Sequence, residues 1–185
     1  MSVDVAVASR FLERAEASGL VDVAVTTMDS PIGTLLLMAT RRGLVRIAFE
    51  SENRDEVLGE VAAQLSPRIL EAPRRLDTVR RELDRYFTGG LRDFDLDIDW
   101  SLVRPFARRV LRRASHIPYG SVASYRDVAV EVGTPRGARA VGNALGSNPI
   151  PIVVPCHRVV RTGGALGGYG GGLSRKRWLL DLETS

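Results

Sequence analysis

The chain has 185 residues, 44% of them hydrophobic, which is ample for one compact unit or two small domains with a true core. No apolar run approaches the roughly 18 residues of a membrane span, and the start, with Asp4 and no basic segment ahead of an apolar block, does not read as a signal peptide. The net charge of +4 conceals an asymmetry: residues 1–100 carry 13 arginines against 18 acidic side chains, whereas residues 101–185 carry 13 basic against 4 acidic. A basic C-terminal half on an acidic N-terminal half suggests a polyanion-binding face on one domain.

Residues 1–20 form an extension that includes a short amphipathic stretch, residues 10–17, with Phe11, Leu12 and Ala15 on one side. Alternation then predicts strands at 21–27, 34–40 and 44–49, separated by turns at Ser30-Pro31-Ile32-Gly33 and Arg41-Arg42-Gly43. Helices are expected at 54–64 and 74–87, the second with Leu76, Val79, Leu83 and Phe87 on one face and a stop at Gly89-Gly90. Phe94, Leu96 and Ile98 alternate with aspartates, as in a half-exposed strand. The charge balance flips near residues 100–104, which divides the chain into domains at 21–100 and 101–185.

Beyond the boundary, residues 105–115 read as a helix with Phe106, Val110, Leu111 and Ala114 inward, followed by the turn His116-Ile117-Pro118-Tyr119-Gly120. Residues 124–132 form a further helix, and Gly133-Thr134-Pro135 turns the chain, with Thr134 expected as N-cap and Pro135 at the first helical position. The next helix, 136–147, puts Ala138, Val141 and Leu145 inward and Arg136, Arg139 and Asn143 outward. Its outer face is otherwise Gly137, Ala140, Gly142, Ala144 and Gly146. Each glycine inside a helix costs about 1 kcal/mol relative to alanine, so small residues here suit a surface that something large approaches closely. Two helices around a Gly-containing turn fit a DNA-binding helix-turn-helix.

The single cysteine, Cys156, lies in Ile150-Pro151-Ile152-Val153-Val154-Pro155-Cys156-His157-Arg158-Val159-Val160. It can form no internal disulfide, so it is either a small buried hydrophobe or a reactive group. His157 and Arg158 offer a base and a fixed positive charge, the setting that lowers a thiol pKa. Such a reagent needs a reducing compartment, which points to the cytoplasm. Residues 163–172 hold seven glycines but lack the Lys-Ser/Thr ending of a P-loop. Lys176, the only lysine among 26 basic residues, reads as a matter of composition.

From Ile117-Pro118-Tyr119-Gly120 to Glu183 the chain closely resembles the O6-alkylguanine-DNA alkyltransferases, or methylated-DNA–protein-cysteine methyltransferases. The resemblance rests on Ser124-Tyr125, Ala138-Arg139-Ala140-Val141-Gly142, Asn148-Pro149, Pro155-Cys156-His157-Arg158-Val159-Val160, Gly168-Tyr169-Gly170-Gly171-Gly172 and Lys176-Arg177-Trp178-Leu179-Leu180. The N-terminal half resembles the family more loosely, through Ser30-Pro31-Ile32-Gly33. The fold implied is α+β: a small antiparallel sheet with helices, ribonuclease H-like, then a mainly helical domain with a winged-helix-type helix-turn-helix.

The resemblance also implies roles. Cys156 is the alkyl acceptor, His157 takes its proton through a water, Glu183 orients the histidine and Asn148 braces the turn. Tyr125 protonates the departing guanine and Arg139 fills the space of the flipped base. Pro151, Val154, Tyr169 and Gly170 complete the base pocket, while Arg136, Ala138, Arg139, Ala140, Gly142 and Asn143 meet the minor groove of duplex DNA. The expected partner is double-stranded DNA carrying O6-alkylguanine, met by a monomer that can cluster on DNA, with no cofactor and no membrane.

Departures from the family are local. The first hundred residues contain no cysteine or histidine, so the structural zinc of some relatives has no ligands. The lead into the second domain keeps only Pro105-Phe106, Val110 replaces a tryptophan, and Gly168 and Gly170 leave a roomier pocket. The rivals are a cysteine hydrolase, disfavoured by Cys156-His157 adjacency, a non-catalytic lesion-recognition protein, and a DNA-binding regulator.

Overall fold

The computed structural model describes residue 14 and residues 19–185. The amphipathic stretch expected at 10–17 lies, apart from Arg14, outside the described residues. Three strands form where alternation places them: β1 (Val23–Met28), β2 (Leu35–Thr40) and β3 (Gly43–Phe49), paired antiparallel in that order. A fourth, β4 (Ile69–Glu71), adds to the far edge of β1 in parallel. The sheet is therefore mixed, not antiparallel as expected. The cause is helix α1 (Arg54–Gln64), which carries the chain back across the sheet so that β4 runs in the direction of β3 and β1. Three residues are too few for a period to show in sequence.

Both sheet faces are covered, which explains why Leu35-Leu36-Leu37-Met38 is apolar throughout rather than alternating. One face, with Val23, Val25, Leu36, Met38 and Val45, packs on Val57 and Val61 of α1. The other, with Ala24, Leu35, Leu37 and Ile47, packs on Leu76, Val79, Leu83 and Tyr86 and continues without a break into the C-terminal core. The helix expected at 74–87 is split into a 3₁₀ turn, Pro73–Leu76, and α2 (Asp77–Phe87).

The segment around Phe94, Leu96 and Ile98 is not a strand. It lies extended against the start of β3 with one bridge, Leu44 to Ile98, made by Leu44 N–H to Asp97 O at 2.9 Å and Asp99 N–H to Leu44 O at 2.9 Å. Gly43 allows this approach: its φ is +130°, and a Cβ there would stand 2.1 Å from the Asp97 carbonyl oxygen.

The C-terminal half holds α3 (Pro105–Ser115), α4 (Tyr125–Glu131), α5 (Ala138–Gly146) and α6 (Leu173–Thr184), with a short parallel pair, β5 (Ala123–Ser124) and β6 (Val159–Val160). Ser124 starts α4 through a capping box with Asp127. The turn after α4 differs from expectation. Thr134 does not cap the next helix; its N–H and hydroxyl both donate to Ala129 O, closing α4, and Gly137 N–H bonds Thr134 O at 2.7 Å. Helix α5 consequently begins at Ala138, not at residue 136, and Ala144, expected on its outer face, is buried with Val141 and Leu145. Backbone and arginine contacts tie the halves together. Ile47 N–H donates to Pro149 O at 2.8 Å, and Arg175 reaches Ile32 O at 2.7 Å and Glu50 Oε1 at 2.9 Å.

Gly43→Ala should destabilise the protein by more than about 1 kcal/mol, since it combines an unfavourable φ with a backbone clash. Urea unfolding monitored by tryptophan fluorescence measures this; an unchanged midpoint would show that the 94–98 segment adjusts freely.

Candidate active site

The turn between α5 and β6 is held by its own backbone and by one side chain. Val154 N–H bonds Ile150 O at 2.9 Å and Cys156 N–H bonds Val154 O at 2.8 Å. Inside this turn Ile152 adopts φ +75°, a left-handed conformation that a β-branched residue takes only under constraint. Asn148 supplies much of that constraint. Its Oδ1 accepts from Ile150 N–H at 3.0 Å, and its Nδ2 donates to Val154 O at 2.8 Å and to Cys156 Sγ at 3.1 Å. Asn148 therefore fixes both the turn and the sulfur.

Cys156 opens a 3₁₀ turn, Cys156–Arg158, whose three side chains are all buried. His157 Nε2 meets Glu183 Oε1 at 2.9 Å, and Arg158 grips the same carboxylate with Nε on Oε2 at 2.8 Å and Nη2 on Oε1 at 2.9 Å. The third Arg158 nitrogen, Nη1, donates to Ile117 O at 2.6 Å. Two further donors complete the carboxylate: the Tyr86 hydroxyl to Oε1 at 2.7 Å and Gly120 N–H to Oε2 at 3.3 Å. Burial pushes the Glu183 carboxyl up, but the bonds from His157, Arg158 and Tyr86 outweigh it and hold the group at about 2. Glu183, only two positions before Ser185, stands in the interior.

This arrangement corrects the expectation of a thiol activated at rest. Arg158 spends its charge on Glu183, and burial pushes the Cys156 thiol up to about 11 despite the Asn148 bond and the nearby Lys176 charge. Burial likewise lowers the His157 pKa against the pull of Glu183. At neutral pH the site therefore holds a thiol, a neutral imidazole and a carboxylate. With Nε2–H given to Glu183, the lone pair is on Nδ1, a buried atom with no hydrogen bond among the described residues.

Two clefts meet at Cys156. The larger, about 800 Å³, opens onto α5 and is lined by Tyr125, Ala138, Arg139, Gly142, Asn143, Tyr169 and Gly170, with Arg126 and Arg161 on its rim. The smaller, about 400 Å³, reaches the sulfur from the β3 side past Phe49, Asn148, Pro151, Tyr169 and Gly171. Tyr125 donates its hydroxyl to Gly168 O at 3.3 Å, and burial, then the neighbouring Cys156, raises its pKa. Gly142 faces the Tyr125 ring, a Cβ there lying 3.7 Å from it. Of the sequence-derived residues, Val154 lines neither cleft: its side chain is in the core and its carbonyl receives Asn148. Arg136 and Ala140 are exposed but lie outside the cleft.

Sequence reasoning missed two residues. Lys176 is fully buried, its Nζ donating to Val159 O at 2.6 Å and Gly168 O at 3.3 Å, so it fastens the glycine loop to β6. Burial lowers it to about 8, and the thiol nearby acts in the opposite sense. The available signal was its singularity, one lysine among arginines, since a compact ammonium fits where a guanidinium fork does not. Tyr86 is separated from Glu183 by 97 positions and left no signal.

Comparison with known proteins agrees over nearly the whole chain. Residues 105–185 match the family described as 6-O-methylguanine DNA methyltransferase, DNA binding domain, and residues 23–100 match its ribonuclease-like domain. A methylated-DNA–protein-cysteine methyltransferase of Mycolicibacterium paratuberculosis is 42% identical over 157 residues, 85% of this chain and 90% of that one. One of Methanosarcina barkeri is 36% identical over 85% of this chain and 95% of its own length. The crystal structure of Mycobacterium tuberculosis O6-methylguanine methyltransferase superposes with TM-score 0.75 at 39% identity, covering 88% of this chain and 93% of that one. The Mycobacterium tuberculosis protein in complex with DNA gives TM-score 0.74 at 38% identity over 87% and 92%. Matched in both halves and at this identity, the chain belongs to the 6-O-methylguanine DNA methyltransferase family.

Proposed function

We propose that this protein reverses DNA alkylation damage directly, moving an alkyl group from O6 of guanine in duplex DNA to Sγ of Cys156. The observation that carries the reading is the lone thiol at the meeting point of an arginine-rimmed cleft and a buried histidine–carboxylate pair. Helix α5 enters the minor groove, its small residues Ala138, Ala140 and Gly142 allowing close approach while Arg136 and Asn143 meet the strands. Arg139 occupies the space of the extruded nucleotide. Extrusion costs a few kcal/mol and brings the target atom to the pocket of Tyr125, Pro151, Tyr169 and Gly170.

In the transfer step the thiol proton passes through a water to His157 Nδ1, and Glu183 stabilises the imidazolium formed. Sulfur attacks the alkyl carbon, the S–C bond forms as the C–O6 bond breaks, and the electron pair leaves with the guanine. Tyr125 returns a proton to the departing base. The product is a thioether with no hydrolytic exit, so each molecule acts once. The protein works as two units, residues 21–100 and 101–185, after an extension at 1–20, and as a monomer that can gather on DNA. No described helix is long and apolar enough to cross a membrane, and a thiol kept for reaction suits the reducing cytoplasm.

Intact-protein mass after mixing with an oligonucleotide carrying one O6-methylguanine should rise by one methyl group per molecule, and Cys156→Ser should show no gain. Tight lesion binding with no gain in the native protein would instead make this a recognition protein with a silent thiol. Arg139→Ala should slow transfer from duplex DNA roughly tenfold or more, because the extruded state loses its filler. Transfer from free O6-alkylguanine should stay unchanged; an equal loss on both substrates would place Arg139 in the chemistry rather than in extrusion.

A further inference from the structure

Glu183 Oε1 accepts three donors at once: Tyr86 Oη at 2.7 Å, His157 Nε2 at 2.9 Å and Arg158 Nη2 at 2.9 Å. Two of them belong to the C-terminal half, but Tyr86 comes from α2 in the N-terminal half. Its ring is fully buried, in edge or tilted contact with Phe87, Phe94 and Tyr119, and its hydroxyl is hydrogen-bonded to the same oxygen that His157 uses. A carboxylate oxygen divides its charge among its donors, so each added donor weakens its hold on the others. We propose that Tyr86 is a positioning residue of the reaction, its hydroxyl sharing Glu183 Oε1 with His157 and so setting how strongly the carboxylate draws on the imidazole.

The consequence has a definite sign. Removing the Tyr86 donor leaves Glu183 Oε1 to His157 and Arg158 alone. The carboxylate then favours the imidazolium more, and the His157 pKa rises. A histidine that must be neutral to take the thiol proton loses that ability at a higher pH, so the acid limb of transfer moves up. Arg158 comes from the 3₁₀ turn and Gly120 N–H from the turn after α3; both remain on the carboxylate. Tyr119 donates to Leu182 O at 3.2 Å, with Arg92 over its ring. The Arg158 and Lys176 charges both act to lower the His157 pKa, and Tyr169 stands edge-on to the imidazole at 6.4 Å.

The assignment makes the N-terminal half a contributor to the chemistry. It rests on the reading of His157 as the proton acceptor, and its test is independent of transfer.

Tyr86→Phe keeps the buried ring and removes only the donor. The chain has two histidines, His116 and His157. His116 is exposed at the end of α3, with Nδ1 2.6 Å from Arg112 O, and serves as the internal reference. In ¹H–¹⁵N spectra of the imidazoles, the His157 Nε2–H proton should move downfield in Tyr86→Phe while the His116 signals stay in place. The acid limb of the transfer rate should rise by about half a pH unit or more. The His157 resonance decides: a downfield move supports the assignment, and an unmoved or upfield resonance overturns it, whatever the transfer rate. A shifted His157 in a protein that gains no alkyl mass would sink the transfer reading and leave the Tyr86 coupling standing.

Discussion

One carboxylate, Glu183, is the constraint on which the site depends. It is 5% exposed, close to the end of the chain, and collects donors from α2, from the turn after α3 and from the two residues that follow the thiol. A buried charge is tolerable only when its oxygens are fully used, and removing one partner of such a cluster costs several kcal/mol. Helix α6, the 3₁₀ turn and α2 must therefore dock together for any of them to be stable. The same docking aims His157 Nδ1 away from Glu183 and fixes its tautomer. Architecture and acid–base assignment are here a single requirement.

Arg158 shows why this matters. Next to a cysteine in sequence, an arginine suggests an activated thiolate. In the fold its fork is matched to the two Glu183 oxygens, with its last nitrogen on Ile117 O. Bidentate geometry of this kind outweighs a looser charge–thiol attraction. The positive charge that acts on the thiol is that of Lys176, whose own hydrogen bonds fasten the glycine loop to β6. Loop placement and electrostatic support for a developing thiolate are thus carried by one side chain.

Much of this was legible in the chain. Helices at 54–64 and 105–115 have the bounds expected of them: the Asn53 side chain caps the first, and Pro105 with the apolar stripe of Val110, Leu111 and Ala114 marks the second, all of them local signals. The fold sets Asn148 against the Cys156 sulfur and Glu183 against His157, residues that the resemblance singled out. What escaped reading depends on tertiary context. The parallel strand β4 exists only because α1 returns the chain beside β1. Residues 94–98 alternate like a strand yet, among the described residues, make a single strand bridge, at Leu44, made possible by Gly43. Thr134 and Pro135 carry helix-start chemistry, but the Ala129 carbonyl captures Thr134 first and delays α5 to Ala138. Tyr86 was invisible because nothing local marks a tyrosine whose partner is 97 residues away.

The resting protonation state bears on how a single-use nucleophile survives until it is needed. A thiol near 11 is four units above neutral, and each unit is worth about 1.4 kcal/mol, so freeing the thiolate at pH 7 costs roughly 5 kcal/mol. That is too much for an idle thiolate to persist, and the thiolate, not the thiol, is the form that adventitious electrophiles and oxidants attack. The cost is acceptable during reaction because proton removal, C–O6 cleavage and proton return to the base occur around one sulfur already placed. In the proposed transfer His157 needs only enough basicity to accept the proton as the S–C bond forms. A stronger base would itself be protonated near neutral pH and be unable to serve. The low basicity that burial imposes on His157, moderated by a carboxylate already shared with Tyr86 and Arg158, keeps the imidazole neutral and the thiol quiet until an alkylated base arrives.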